Sequence, residues 1–159
     1  MNIVKRFGIY LWVVILVVVD QLTKLAVVNN MKNSSVTIIK GILKFTYCEN
    51  KGVAFSIGEG HTLVFVIVNL LLIGAMVFYL ERNRKVYNNV DKMFFIMVIS
   101  GGLSNVIDRI ARGFVVDFID VNELFNFAIF NVADIMIVIG IICIAISYIL
   151  KTVKNNKES

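Results

Sequence analysis

Four apolar runs, at about 7–28, 62–80, 93–110 and 127–150, constrain this chain more than any other feature. A helix rises ~1.5 Å per residue, so about 20 apolar residues cross a hydrocarbon core of ~30 Å. In lipid every backbone N–H and C=O has to be satisfied within the segment, which leaves the helix as the form for such runs. Composition points the same way. Hydrophobic residues make up 58% of the 159 and charged residues 17%, whereas a soluble domain has about 45–50% and about a quarter. The expectation is an all-α integral membrane protein, one membrane domain over 1–159, with four transmembrane helices.

The first run follows a short basic start, Lys5 and Arg6, and resembles the core of a secretory signal peptide. It lacks a small-x-small cleavage site, however, and apolar residues resume at 25–28 after DQLTK. It is read as an uncleaved span. Asp20 and Lys24 lie within it at i,i+4, on one face, where they can pair and shield each other from lipid. Residues 29–61 are rich in Asn, Ser and Gly and carry short β-prone runs, VTII at 36–39, LKFTYC at 43–48 and VAFSI at 53–57. These predict a small extracytoplasmic β-sheet, or cradle, over about 33–58, with an edge that an extended peptide can pair with. Residues 111–127 are read as an extracytoplasmic loop. Proline is absent, so nothing forces a kink.

Several function classes drop out. The net charge of +5 comes from basic residues between the apolar runs, not from a patch interleaved with aromatics, so a nucleic-acid partner is not expected. His61 stands alone, and Cys48 and Cys143 fall in different kinds of segment without metal-ligand spacing, which argues against a metal or a disulfide. Nine Lys and Arg fall on the side of the N-terminus, the 81–92 loop and the tail, and seven on the other. The short loops decide, so both termini are expected in the cytoplasm.

This topology gathers the unusual polar residues, Asp20, Lys24, Asn50, Asn105, Asp108, Arg109, Asp117, Asn131 and Asp134, near the outer interface. Each has a structural explanation. Asp20 with Lys24 suits an ion pair, and Gly101 and Gly102 suit close helix packing. Asn105, Asp108 and Arg109 suit a polar network, and Asn131 with Asp134 a helix cap. Asp120 and Glu123 suit a solvated loop face. Asn69 is the only strongly polar member of the second run. Asp117 is harder to explain in this way. Gly113-Phe114-Val115-Val116 press it toward the membrane, and Asp134 stands among Phe130, Val132, Ala133 and Ile135. Two carboxylates in apolar settings can form an acid/base pair, because repulsion raises one pKa and keeps one proton on the pair. With no His beside a Ser or Cys nucleophile and no H-E-x-x-H, hydrolysis here would be aspartic.

Five blocks in order, D-x-x-T-K at 20–24, N-x-G-x-A-F at 50–55, G-G-x-x-N-x-x-D-R at 101–109, V-V-D-F at 115–118 and F-N-x-A-D at 130–134, resemble the bacterial lipoprotein signal peptidase family, signal peptidase II. The resemblance covers essentially the whole chain. It implies an intramembrane aspartic endopeptidase that cleaves the signal peptide from diacylglyceryl-modified prolipoproteins, on the N-terminal side of the lipidated cysteine. Asp117 and Asp134 would be the catalytic pair, and Asp20, Lys24, Asn50, Gly52, Gly101, Asn105, Arg109 and Asn131 supporting or substrate-positioning residues. No cofactor is implied, globomycin would be expected to block the site, and the 119–128 loop is the candidate lid. The expected setting is the bacterial cytoplasmic membrane, as a monomer among membrane lipids, with the site near the outer face. The rival reading is a small proton-coupled membrane transporter using intramembrane Asp and Lys. That reading expects polar residues throughout the membrane depth, whereas here the inner halves of the runs are nearly bare.

Overall fold

The computed structural model describes residues 8–52 and 62–158. The expected strand at 53–57, the 53–55 part of the second motif, and His61 lie outside them. A short 3-10 turn, Gly8–Tyr10, leads into α1, Leu11–Met31. Three further helices follow: α2, Thr62–Arg82; α3, Asn89–Arg112; and α4, Val132–Glu158. All four are long and apolar enough to cross a membrane. Their Val and Ile content would weaken a helix in water, but an apolar medium leaves the backbone no partner except itself. Their apolar side chains accordingly point outward: Leu63, Leu71 and Phe78 of α2 are 71%, 68% and 67% exposed.

The helix ends are set by polar chemistry that hydropathy does not register. α3 starts at Asn89, ahead of the apolar run at 93, because Asn88 and Asp91 form a reciprocal cap. The Asn88 side chain accepts from the Asp91 N–H at 2.9 Å, and Asp91 accepts from the Asn88 N–H at 3.0 Å. It stops at Gly113, whose φ of 82° is the left-handed conformation glycine adopts freely, with its N–H on the Arg109 carbonyl. α4 begins at Val132, later than the apolar pattern at 127. Phe130 is drawn into an antiparallel bridge with Ile119, and Asn131 then caps the helix.

Among the described residues three antiparallel strands lie at one end of the bundle, in the order β1, Ser35–Ile39; β2, Leu43–Asn50; β3, Val115–Asp120. The third is a departure from expectation, since 111–127 reads as loop in the sequence. Val115, Val116 and Phe118 are β-favouring side chains, and β3 pairs through Cys48↔Asp117 and Asn50↔Val115 with β2. Its first four residues are buried, while β1 is exposed along its length. Val116 and Phe118 pack with Val27 of α1, fastening the sheet to the bundle. The helix that positions everything is α3: 56% of its most apolar stretch is buried, against 22%, 11% and 17% for α1, α2 and α4. It meets α4 almost backbone to backbone. A Cβ at Gly101 would fall 2.4 Å from the Ala133 carbonyl oxygen, and one at Gly140 2.7 Å from that of Phe94.

Candidate active site

At the sheet end of the bundle, β3 and the first turn of α4 each deliver one carboxylate to the same cavity. Asp117 alternates along β3 with Val116 and Phe118, so a strand whose neighbours face α1 turns this side chain to the other face. Asp134 occupies the third position of α4, where it closes a cap with Asn131. The Asp134 N–H donates to Asn131 Oδ1 at 2.9 Å, and the Asn131 N–H donates to Asp134 Oδ2 at 3.1 Å. The helix-cap reading of this pair is correct, and the cap also holds the carboxylate still.

Neutral amides link the two acids. Asn131 Nδ2 donates to Asp117 Oδ1 at 2.6 Å, and Asn50 Nδ2 to Asp117 Oδ2 at 2.9 Å. Asn105 Nδ2 donates to Asp134 Oδ1 at 2.8 Å, while Asn105 Oδ1 accepts from Asn131 Nδ2 at 3.3 Å. Asp117 is 2% exposed. Burial pushes its carboxyl up to about 6, with the nearby Asp134 charge adding to the rise and the two asparagine hydrogen bonds opposing it.

Beneath the amides lies a second network, built around three formal charges. Lys24 Nζ sits 2.8 Å from Asp20 Oδ2 and 3.0 Å from Asp108 Oδ2, and donates to Asn105 Oδ1 at 2.9 Å. All three charged side chains are fully buried. Asp20 also accepts from the Ala133 N–H at 2.8 Å and the Ser104 hydroxyl at 2.6 Å, tying α1 to the start of α4. Asp108 accepts from the Val116 N–H, Gln21 and Arg112, tying α3 to β3. The network is therefore larger than an Asp20–Lys24 pair. Ser104, Gln21 and Arg112 belong to it, yet the only signal for them in the sequence was the i,i+4 spacing of Ser104 and Arg112 around Asp108.

Arg109 reaches outward. Its guanidinium donates to the Gly52 carbonyl at 2.7 Å and lies over the Phe65 ring, while the Gly52 N–H donates to Asn50 Oδ1 at 3.1 Å. Gly101 lies below, at the close contact with α4. Asp120 and Glu123 stand apart from the site, as the sequence suggests, but they are not idle: Asp120 accepts from Thr46 Oγ1 at 3.0 Å and Glu123 pairs with Lys44, so both fasten the sheet. Among the described residues no cluster of His, Cys, Asp or Glu is arranged to hold a metal.

The cavity measures about 560 Å³. Asn50, Asn105, Arg109, Asp117 and Asp134 form its polar wall, Phe127 to Phe130 run along it, and Ile135, Val138 and Ile139 continue it onto the outer surface of α4. Bundle, sheet and site together define a multi-pass membrane protein in which Asp117 and Asp134 line one cavity. A sequence model described as signal peptidase (SPase) II matches residues 12–150. The lipoprotein signal peptidase of Clostridioides difficile (strain 630) is 38% identical over 144 residues, 89% of this chain and 95% of that one. That of Fusobacterium nucleatum is 35% identical over 136 residues, 85% and 82% of the two. A solved bacterial membrane enzyme superposes with a TM-score of 0.84 at 34% identity, covering 96% of this chain and 93% of the other. The chain belongs to the signal peptidase II family, a family of bacterial membrane proteases.

Proposed function

We propose that this protein is an aspartic endopeptidase that removes the signal peptide from diacylglyceryl-modified prolipoproteins, cutting before the lipidated cysteine, with Asp117 and Asp134 as its catalytic pair. The observation that carries the reading is the pairing of a buried and a half-buried carboxylate, Asp117 and Asp134, at one cavity wall, held by amides instead of cations. An amide donor fixes a carboxylate and lowers its basicity less than a directly paired Lys or Arg would. Asp117 is pushed up to about 6, so the pair carries a shared proton at mildly acid pH and gives it up as pH rises through that value.

The chemistry then balances within the pair. The ionised acid takes a proton from water as the water oxygen bonds to the scissile carbonyl carbon. The protonated acid gives its proton to the carbonyl oxygen, forming a neutral tetrahedral gem-diol. Collapse breaks the C–N bond: the nitrogen gains the proton held by the first acid, and the second recovers one from a hydroxyl. The products are a carboxylic acid and the amine of the lipidated cysteine, and the pair ends with the one proton it began with. Ile135, Val138 and Ile139, lining the cavity while facing outward, suit a substrate that enters sideways from the bilayer. The positive balance of the short loops supports cytoplasmic termini and a site near the outer face. Lys24, Asp20 and Asn105 serve as the rigid support of the pair, and Arg109 with Gly52 as its rim.

The test is incubation of the purified chain with diacylglyceryl-modified and unmodified precursor. Release of signal peptide from the modified precursor alone is expected, and is lost in Asp117→Asn. Cleavage that persists in Asp117→Asn would discard the pair.

A further inference from the structure

Asn69 is the one polar side chain of the second apolar run that the site network leaves out. It is the only described residue of α2 that lines the cavity. Its depth follows from its neighbours. Phe65, one turn outward, lies 5.8 Å from the Arg109 guanidinium, and Ile73, one turn inward, would meet a Cβ on Gly102 at 3.1 Å. Residues 65, 69 and 73 share one helix face, so Asn69 stands level with Asn105, the amide that holds Asp134.

The other asparagines of the cavity are committed. Asn105 donates to Asp134 and accepts from Lys24, and Asn50 donates to Asp117 and accepts from the Gly52 N–H. The Asn69 amide has no hydrogen-bond partner among the described residues. An amide at membrane depth with nothing to bond is costly, and it offers both donors and an acceptor. A peptide bound for cleavage has the matching need. Around the scissile bond it must be extended to expose its carbonyl, which leaves backbone N–H and C=O groups without helical partners in an apolar medium.

We propose that Asn69 is a substrate-positioning residue whose amide hydrogen-bonds the backbone of the signal-peptide segment beside the scissile bond, from the α2 wall of the cavity. The proposal rests on the peptidase reading above. Lipid ester carbonyls could also receive the Asn69 N–H, but they cannot use its carbonyl, so the peptide backbone is the better match.

The experiment uses the full chain in lipid-containing micelles, with Asn69→Leu and Asn69→Gln beside the parent. Two precursors are compared, one diacylglyceryl-modified and one carrying the ether-linked dialkylglyceryl group. Asn69→Leu is expected to lower kcat/KM about tenfold on both precursors. Its Tm should stay the same or rise, because an unpartnered polar group has been removed, and Asn69→Gln should recover part of the rate. Parental kcat/KM in Asn69→Leu, or a loss matched by a lower Tm, would overturn the proposal. A loss confined to the ester-linked precursor would reassign the contact to the lipid and overturn it as stated. A parent chain that cleaves neither precursor would remove the peptidase reading, and this inference with it.

Discussion

The bundle contains the same local motif twice, once at each end. Asn88 with Asp91 opens α3, and Asn131 with Asp134 opens α4, each as an Asn-x-x-Asp cap closed by two reciprocal hydrogen bonds of 2.9–3.1 Å. Their surroundings differ. Asp91 receives the Lys151 ammonium and the Ser147 hydroxyl, both at 2.5 Å, and Lys151 also lies over the Tyr87 ring. Asp134 receives only the Asn105 amide, and its cap partner Asn131 reaches on to Asp117. A carboxylate neutralised by a cation has its protonation state settled and serves as a clamp. A carboxylate held by neutral amides beside a second acid keeps a proton that it can exchange. On the proposed mechanism, a cap serves chemistry through the charge of what completes it, not through the motif itself.

Charge-neutral substitution at the two caps is the sharpest way to break this comparison. Asp134→Asn, like Asp117→Asn, should lower kcat by about 10²–10⁴-fold, the span of general acid–base catalysis. Asp91→Asn should leave kcat at the parental value and lower Tm. Equal losses of activity from both ends, measured on a lipidated precursor, would erase the distinction.

The cation-held acids beneath the site give the next largest effect, on stability. Lys24→Met strands the fully buried Asp20 carboxylate and leaves Asp108 paired with Arg112 alone, and should destabilise the fold by about 3–5 kcal/mol. Asp20→Ala should likewise lose stability more than chemistry. Thermal unfolding in micelles, read beside kcat of the surviving folded fraction, separates the two. A stable but inactive Asp20→Ala would move that residue from support into the reaction.

A smaller effect sharpens the role of close packing between the two caps. Gly101→Ala sets a methyl against the Ala133 carbonyl oxygen, one residue from Asp134, and should cost about 1–3 kcal/mol. Gly113→Ala meets no neighbour and is penalised only by its positive φ, so it should cost about 1 kcal/mol. If the two substitutions cost the same, the α3–α4 contact is looser than the structure has it.

The pH dependence is the finest test. Asp117 is raised from the usual 3.8 to about 6, so the folded protein holds that proton more tightly than the unfolded chain. The stability due to this proton is therefore complete below 3.8 and lost as pH rises through 6. Activity should be lost as pH rises through that upper value and the pair gives up its shared proton, and lost again at lower pH as the second acid is protonated, with its maximum between the two. Asp117→Asn should flatten the fall in Tm between about pH 4 and 6. A parent whose Tm rises across that window would contradict the amide-held environment.

Much of the site was legible because lipid punishes unpaired charge. Asp20, Lys24, Asn105, Asp108 and Arg109 stand out in apolar sequence, and an even number of spans returns them to one interface. The helices were legible for the same reason, apart from their ends, where Asn88, Gly113 and Asn131 act through geometry that hydropathy does not register. β3 was not legible as a strand. Val115 to Asp120 reads equally well as a loop until β2 supplies its backbone partners. Lys24 appeared as one half of a local pair, and its bonds to Asp108 and Asn105 join residues from α1 and α3.

The sequence by itself determined that the chain spans a membrane four times and collects Asp20, Asp108, Asp117 and Asp134 at one end, because apolar length and burial cost are local properties of composition. Which acid meets a cation and which meets neutral amides was decided only by the tertiary structure. Asp91 and Asp134 occupy the same position of the same cap, and what separates them is a lysine two turns before the end of α4 at one, and an asparagine amide on α3 at the other.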